Sequence, residues 1–401
     1  MIGQVRSMPI LSLTALREIW REHKGGFGIE EDHEPHLEAA LEWLKRAQDA
    51  TPDAGVARGY SLIWHPYFKA QGWQPSYPET TGYIIPTLYE SSRRLGDGNL
   101  AERATLAARW LVGLQLSSGA IPGGVIGQEQ TPAIFNTGQV IFGWLSAFIE
   151  TGESEFADAV LRAGEYLLST LDPDGIWRKE NSIFADPRAT LYNTRAAWAL
   201  AEAGLLLKRP DFLLGARANL SAVANLQREN GWFPNCCLTD PENPLLHTLA
   251  YTIRGLLEGG RILDDARLVR SAESAAERLL DSVAPSGWMP GRYRADWTSA
   301  VPWSCLTGQA QMVNNWIRLY EIGGDPRWLT AVPRVLRFVK TTQNRTSSNP
   351  GIRGGIRGAA PISGDYGRYE VLNWATKFFV DALIRDEQIK GRAVGEGFWL
   401  A

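Results

Sequence analysis

The sequence predicts an all-α protein in which six helical hairpins close into one ring. Three observations predict this fold: a polar cluster followed by an apolar helical run recurs along the chain, each run is followed by a helix with a single apolar stripe, and the two ends of the chain complete one another. Such an internal repeat determines where every other motif lies in the fold. Strand-like alternation of apolar and polar residues is nearly absent.

The repeat is clearest at its threonines, which are separated by 57, 57, 54 and 59 residues. The aligned positions are Thr80, Thr137, Thr194, Thr248 and Thr307. A sixth, looser copy begins near Glu370. The run after each cluster is apolar on nearly every side, which predicts a helix buried all round. We predict such inner helices near residues 80, 136, 191, 246, 303 and 367.

The second helix of each hairpin has one apolar stripe. In residues 156–167, apolar positions recur at spacings of three and four, and charged residues occupy the opposite side. Outer helices of this kind are predicted near residues 35, 98, 153, 210, 265 and 326. The first helix, residues 34–47, is outer, and the last, residues 369–385, is inner. Complementary ends predict a closed (α/α)6 toroid rather than an open solenoid that needs polar caps.

The predicted domain organisation is a single toroid of residues 34–388, with an N-terminal extension, 1–33, and a C-terminal tail, 389–401. Inner-to-outer connections take about 2 to 5 residues, whereas the returning connections take about 17 to 30, far above usual loop lengths. Long loops usually carry function. All of them lie where the inner helices begin, so we expect the working face there, among helix N-termini that favour anionic groups.

Composition and charge exclude several classes of function. Lys plus Arg total 41 and Asp plus Glu total 44, and the net charge of -3 offers no bulk attraction to nucleic acid or to an anionic membrane. No run approaches the ~20 apolar residues that cross a bilayer. Three cysteines are too few and too badly spaced for a disulfide framework or a zinc site. We expect a cytoplasmic protein without cofactor or metal; its oligomeric state stays open.

Repeated helical hairpins in which a Gln precedes a Gly and an aromatic or aliphatic residue, as at Gln115 and Gln227, resemble the toroid superfamily. That superfamily includes terpenoid cyclases, prenyltransferase β subunits, polysaccharide lyases, glucuronyl C5-epimerases and several glycoside hydrolase families. The resemblance covers roughly residues 34–388 and implies the fold rather than the reaction. The lipid branches fit less well. The D-x-D-D acid motif of class II terpenoid cyclases is absent, and the Cys, Asp and His residues of 236–247 have the wrong order for the zinc site of prenyltransferase β subunits.

The carbohydrate branch fits better, because the predicted working face is rich in groups that stack on sugars and bind hydroxyls and carboxylates. The candidate catalytic residues are Glu79, Tyr366, His65, His247 and Asp365. The candidate substrate-binding residues are Arg195, Asn193, Arg368, Tyr83, Asn136, Gln139, Trp73, Trp303, Gln309 and Glu370. Each type of residue also has a purely structural interpretation, such as a capping carboxylate, a core aromatic or an ion-pair partner.

The predicted substrate is a uronic-acid-containing oligo- or polysaccharide. Lyases and C5-epimerases both begin by removing the C5 proton beside the carboxylate, a step that needs a carboxylate clamp, a base and an acid. The predicted clamp consists of Arg195, Arg368 and Asn193. The predicted base and acid come from Tyr366, His65 and His247. The resemblance to glucuronyl C5-epimerases implies an active role for Tyr366.

Three alternatives stay open from the residues alone. The first is glycoside hydrolysis by a carboxylate pair, Glu79 with Asp365 or Glu370, whose separation would set retention or inversion. The second is a terpenoid or prenyl-lipid site, which would need a deep and mostly apolar cavity. The third is a non-catalytic sugar-binding or scaffold protein.

Overall fold

The computed structural model describes residues 12–128, 130–181 and 190–391. Within these ranges, inner and outer helices alternate from residue 34 onwards. The inner helices are α3 (Pro78–Leu95), α5 (Ile134–Thr151), α7 (Thr194–Leu206), α9 (Leu246–Ile262), α11 (Leu306–Gly323) and α13 (Asn373–Gly391). The outer helices are α2 (Glu34–Asp49), α4 (Gly98–Leu114), α6 (Ser154–Thr170), α8 (Pro210–Leu226), α10 (Ala266–Asp281) and α12 (Val332–Thr342). A short 3-10 helix, Pro326–Leu329, precedes α12.

The inner helices form a closed ring. Each of them contacts the next one along the chain, and α13 contacts both α11 and α3. The first outer helix, α2, packs against α13, so the two ends of the chain build one hairpin between them. In α5 every residue from Ile134 to Ala147 is buried, as expected of a helix with no solvent-exposed side. These contacts confirm the predicted (α/α)6 toroid.

At three junctions a repeated hydrogen-bonded bracket joins the end of one outer helix to the loop after it and to the next outer helix. Gln115, just after α4, donates from Nε2 to the carbonyl of Gly119 in its own loop and to the carbonyl of Ala159 in α6, both at 2.9 Å. Gln227 and Gln343 make matching pairs of bonds across later junctions. The Gln and Gly noted in the sequence therefore hold the ring together.

The glycine of these loops is required by its backbone and by its neighbours. Gly287 has a φ of +85°, and a Cβ at this position would overlap the carbonyl of Arg334 in α12. We expect Gly287→Ala to lower the free energy of unfolding by about 2–4 kcal/mol, because a left-handed backbone and overpacking each cost about 1–3 kcal/mol. Gly324→Ala is the matched control, since Gly324 has a φ of +70° but no atom within 4 Å of an added Cβ. Denaturant unfolding measures both; equal losses would contradict the clash.

Two small sheets lie among the loops of the working face. The longest loop folds into an antiparallel hairpin of β1 (Gly59–His65) and β2 (Ala70–Trp73), and β5 (Glu370–Leu372) pairs with β1, giving the order β2-β1-β5. β3 (Ser304–Cys305) pairs with β4 (Ala359–Ala360). The last inner helix therefore begins at residue 373 instead of the predicted 369, because β1 takes up the backbone groups just before it.

A helix outside the ring, α1 (Leu13–His23), lies within the predicted N-terminal extension and was not itself predicted. It is held to a distant loop: Glu18 accepts hydrogen bonds from Asn344 at 2.8 Å and from Arg357 at 3.2 Å. Contacts across more than three hundred residues leave no trace in local sequence spacing. Within the described ranges, no helix combines the length and apolar character that a membrane span requires.

Candidate active site

A cavity of about 550 Å³ opens at the N-terminal ends of the inner helices. Its volume lies within the range of about 300–1,000 Å³ that is usual for small-molecule sites. Its walls come from the β1–β2 hairpin, the starts of the inner helices, the loops that carry Thr239 and Arg292, and the segment 365–374. Aromatic side chains make up much of the wall. The ionisable side chains among them, apart from tyrosines, are Arg58, His65, Glu79, His247, Arg292 and Asp365.

Glu79 occupies the second position of α3 and lines the cavity. The hydroxyl of Tyr77 donates a hydrogen bond to its Oε2 at 2.5 Å. Burial raises the pKa of Glu79 to about 7, although this hydrogen bond and the charges of Arg58 and Arg195 lower it. Near neutral pH the carboxyl group is therefore divided between its protonated and ionised forms, as a general acid requires.

His247 occupies the equivalent second position of α9. Its Nδ1 lies 2.7 Å from Oε1 of Gln311 on α11. An amide oxygen only accepts hydrogen bonds, so Nδ1 carries the proton and Nε2 keeps a lone pair. Burial lowers the pKa of His247 to about 4, so the imidazole is neutral at neutral pH. Nε2 is therefore a proton acceptor for a ligand in the cavity.

Glu79 and His247 lie on opposite sides of the ring. In the closed ring of inner helices, α3 and α9 are separated by two helices in either direction. Along one wall a chain of aromatic side chains connects the two residues. The ring centroids of Tyr77 and Trp374 are 6.3 Å apart. Trp374 donates a hydrogen bond from Nε1 to the Tyr366 hydroxyl at 2.8 Å. The ring centroids of Tyr366 and His247 are 5.4 Å apart. The cavity between Glu79 and His247 has room for a ligand.

Two tyrosines from opposite helices meet beneath this space. Tyr251 donates a hydrogen bond from its hydroxyl to that of Tyr83 at 3.4 Å, and its ring lies 4.4 Å from His247. They form the cavity floor, one helical turn beyond Glu79 and His247. Burial raises the pKa of both tyrosines, and that of Tyr366 as well, well above the usual value. These hydroxyls therefore stay protonated and serve as hydrogen-bond donors.

Arg58 belongs to a polar network at one edge of the cavity. Its Nη1 donates to Gln74 at 2.6 Å and pairs with Glu370 at 3.0 Å, and its guanidinium lies 4.1 Å from the ring centroid of Phe68. His65 extends this network, with Nε2 at 3.9 Å from Glu370. The charge of Arg58 is therefore already balanced by a carboxylate of the protein.

Arg292 differs from Arg58, because all the hydrogen-bond acceptors around it are neutral. Its Nη1 donates to the carbonyl of Asn243 at 2.8 Å, and its Nη2 donates to the hydroxyl of Thr239 at 3.0 Å. Among the described residues, no ion pair includes Arg292. Its positive charge is available to an anionic group of a ligand. Arg292 was not among the residues singled out from the sequence, although it lies just after the repeated Gly-aromatic loop element of residues 286–290.

The cavity brings together six of the residues that the sequence singled out. They are Glu79, Tyr83, His65, His247, Asp365 and Tyr366. The remaining nine do not line it.

The amide candidates bind the protein's own backbone and side chains. Asn136 and Gln309 donate to loop carbonyls at 3.1 and 2.7 Å, and Asn193 donates to a neighbouring asparagine at 2.9 Å. Gln139 accepts a hydrogen bond from Nε of Arg195 at 2.6 Å. Arg195 itself lies beneath the floor, where it lines a separate, smaller cavity. It is thus not placed to clamp a carboxylate in the cavity above.

The other candidates support the loops around the cavity. Trp73 packs against another tryptophan at 5.3 Å between ring centroids, and Trp303 is buried. Arg368 is exposed, and its guanidinium lies over the ring of Tyr369. Glu370 is 1% exposed and is engaged with Arg58. Within the described ranges, no group of three or more His, Cys, Asp or Glu side chains is placed to hold a metal ion.

No protein-family model matches this chain, and no curated protein matches its sequence. Solved structures do resemble it. An unsaturated glucuronyl hydrolase specific for heparin superposes with a TM-score of 0.68 at 16% identity, covering 90% of this chain and 98% of the other. A cellobiose 2-epimerase from Bacillus thermoamylovorans superposes with a TM-score of 0.65 at 11% identity, covering 93% and 99%. A sugar epimerase from a ruminal bacterium superposes with a TM-score of 0.69 at 12% identity, covering 92% of this chain and 98% of the other. At such identities the likeness establishes the fold.

Proposed function

We propose that this (α/α)6 toroid is a carbohydrate-active enzyme that moves protons at C5 of a uronic-acid-containing saccharide, as a C5-epimerase or a lyase. The observation that supports this function best is the placement of an acid, Glu79, and a neutral imidazole, His247, at equivalent positions of opposite inner helices. Arg292, whose charge is balanced by no carboxylate of the described residues, lines the same cavity.

Each step of such a reaction has a candidate side chain. Arg292 would bind the uronate carboxylate and stabilise the charge that develops on it when C5 loses its proton. Nε2 of His247 would accept that proton. Glu79, on the other side of the ring, would protonate the opposite face of C5 in an epimerase or the departing O4 in a lyase. Trp374 and Tyr366 provide aromatic faces for the sugar ring.

The structural neighbours support a sugar as the substrate, because they include unsaturated glucuronyl hydrolases and sugar epimerases. The lipid alternative has less support. Although aromatic side chains make up much of the cavity wall, a prenyl or terpenoid chain would offer no polar partner to Arg292 or Glu79.

Glycoside hydrolysis is the second candidate, and a specific observation favours it. A carboxyl group with a pKa of about 7, such as Glu79, is what a glycosidase uses as its general acid, and Asp365 lines the same cavity. Glu370 fits the partner role less well, because it is buried outside the cavity lining and paired with Arg58.

One assay in D2O separates these reactions. The protein is incubated with uronate oligosaccharides, and ultraviolet absorbance, reducing ends and deuterium content are followed together. Deuterium at C5 without chain cleavage identifies an epimerase, and a rise in absorbance from an unsaturated product identifies a lyase. New reducing ends with neither signal would support hydrolysis instead. Turnover of neutral saccharides alone would contradict a uronate substrate.

Substitution of Arg292 tests the uronate directly. We expect Arg292→Gln to lower kcat/KM for a uronate substrate about 10- to 100-fold, because a hydrogen bond to a charged group is worth about 1.5–3 kcal/mol. The methyl ester of the same substrate, which carries no charge, should lose little. Arg294→Gln is the matched control, since Arg294 is exposed, lies two residues further on and does not line the cavity. Equal losses for acid and ester would contradict the role of Arg292.

A further inference from the structure

A second polar cluster lies inside the ring, beneath the floor of the cavity. Arg195 of α7, Arg254 of α9 and Arg385 of α13 line a small space of about 10 Å³. Arg254 is about two helical turns beyond His247 along α9, so this space is deeper in the ring than the candidate active site. All three arginines are buried.

Two of these guanidinium groups have buried N–H groups without hydrogen-bond partners. Arg195 is 1% exposed, and its Nη2 has no partner. Arg254 is 4% exposed; its Nη1 donates to the carbonyl of Asn314 at 3.2 Å, but its Nε and Nη2 have no partner. Nη2 of Arg254 lies 3.0 Å from Glu258 without the alignment of a hydrogen bond. Buried donors that have lost water and gained no acceptor are costly.

The carboxylates near the cluster are already engaged. Asp381, the acidic residue of this lining, pairs with Lys377 at 2.7 Å. Glu258 is shared among three arginines, Arg254, Arg261 and Arg318. Among the described residues no ion pair includes Arg195, whose guanidinium is enclosed by aromatic rings at 5.0 to 5.8 Å. Because arginine does not release its proton, this buried site keeps an excess of positive charge.

We propose that Arg195, Arg254 and Arg385 form a binding site for one small inorganic anion of about the size of chloride. The space of about 10 Å³ accommodates about one water-sized species, which is too little for a carboxylate or a phosphate. The unpartnered N–H groups belong to side chains that line this space, so the anion receives hydrogen bonds and balances buried charge. The site does not depend on the proposed reaction.

The anion also influences the candidate active site above it. Arg195 lies 5.0 Å from the ring of Tyr251 and 5.8 Å from that of Tyr83, the two tyrosines of the floor. The charge of Arg195 lowers the pKa of Glu79. An anion beside Arg195 offsets this effect and keeps Glu79 protonated over a wider pH range.

Bromide provides a direct probe, because it replaces chloride and scatters anomalously. Crystals of the unmodified protein grown or soaked in bromide should show an anomalous peak between Arg195 and Arg254. Bromide only at the protein surface, or an ordered water in its place, would overturn the proposal. This measurement needs no variant and so does not depend on whether a substituted chain folds.

Thermal unfolding provides the second test. We expect Tm to rise saturably with chloride or bromide, but not with gluconate at the same ionic strength, since an anion that binds only the folded state stabilises it. Arg254→Gln should abolish the saturable rise. Arg327→Gln is the matched control, because Arg327 is exposed and paired with Glu277 at the surface, and it should retain the rise. A Tm that follows ionic strength alone, whatever the anion, would contradict the site.

Discussion

Glu79→Gln is expected to reduce turnover about 10²- to 10⁴-fold while leaving the fold intact. The amide keeps the shape of the protonated carboxyl group and still accepts the hydrogen bond from Tyr77, but it has no proton to transfer. Initial rates at saturating substrate measure the loss. Glu38→Gln, an exposed change on α2, is the control and should keep the wild-type rate.

The stability of the same variant distinguishes catalysis from capping. Burial raises the pKa of Glu79 from 4.5 to about 7, so the folded protein binds more protons than the unfolded chain between these values. The stability associated with protonated Glu79 is therefore complete below about pH 4.5 and is lost as the pH rises through about 7. Glu79→Gln has no such loss, so at about pH 8 it should unfold at the same Tm as the wild type or higher. A large drop in Tm with unchanged turnover would show that Glu79 merely caps α3.

His247→Asn has the second largest expected effect, a loss of about 10²- to 10⁴-fold, because the variant lacks the unprotonated nitrogen that accepts the substrate proton. The pH profile supplies an independent readout. His247 accepts a proton only when neutral, above its pKa of about 4, and Glu79 donates one only when protonated, below its pKa of about 7. The rate should therefore be greatest between these values and should fall on the acidic side as His247 becomes protonated. The residual activity of His247→Asn should lack this fall, the acidic limb of the profile.

His36→Asn is the matched control for this prediction. His36 is a buried histidine of α2 whose pKa is also lowered to about 4, and it binds Gln343 in a bracket between hairpins. Its substitution should lower Tm but leave the acidic limb in place. If His247→Asn keeps its activity and Tyr366→Phe loses it, the base is Tyr366 and the role proposed for His247 is wrong.

The helices could be predicted because their signals are local. A run buried on all sides, as in α5, differs from a striped run, as in α6, within a few turns of sequence. The strand β5 could not be predicted in this way. Its partner β1 lies about three hundred residues earlier, and the two meet only because the ring closes.

In the candidate site, too, the sequence predicts the position of some residues, and only the tertiary structure reveals that of others. Glu79 and His247 begin inner helices, so the repeat alone predicts that they share one face of the ring. Arg195 is also the second residue of its helix, yet it lies below the floor that Tyr83 and Tyr251 form. Arg292 reaches the cavity through a long loop whose path the sequence does not reveal.

The sequence by itself determined the closed ring of hairpins and the end of it that carries the polar groups, because helical period and loop length are properties of neighbouring residues. Only the tertiary structure decided the chemistry of those groups. The pKa of Glu79 depends on its burial, and the uncompensated charge of Arg292 depends on which carboxylates reach it. Burial and charge pairing arise from contacts between distant parts of the chain, and so they exist only once the ring has closed.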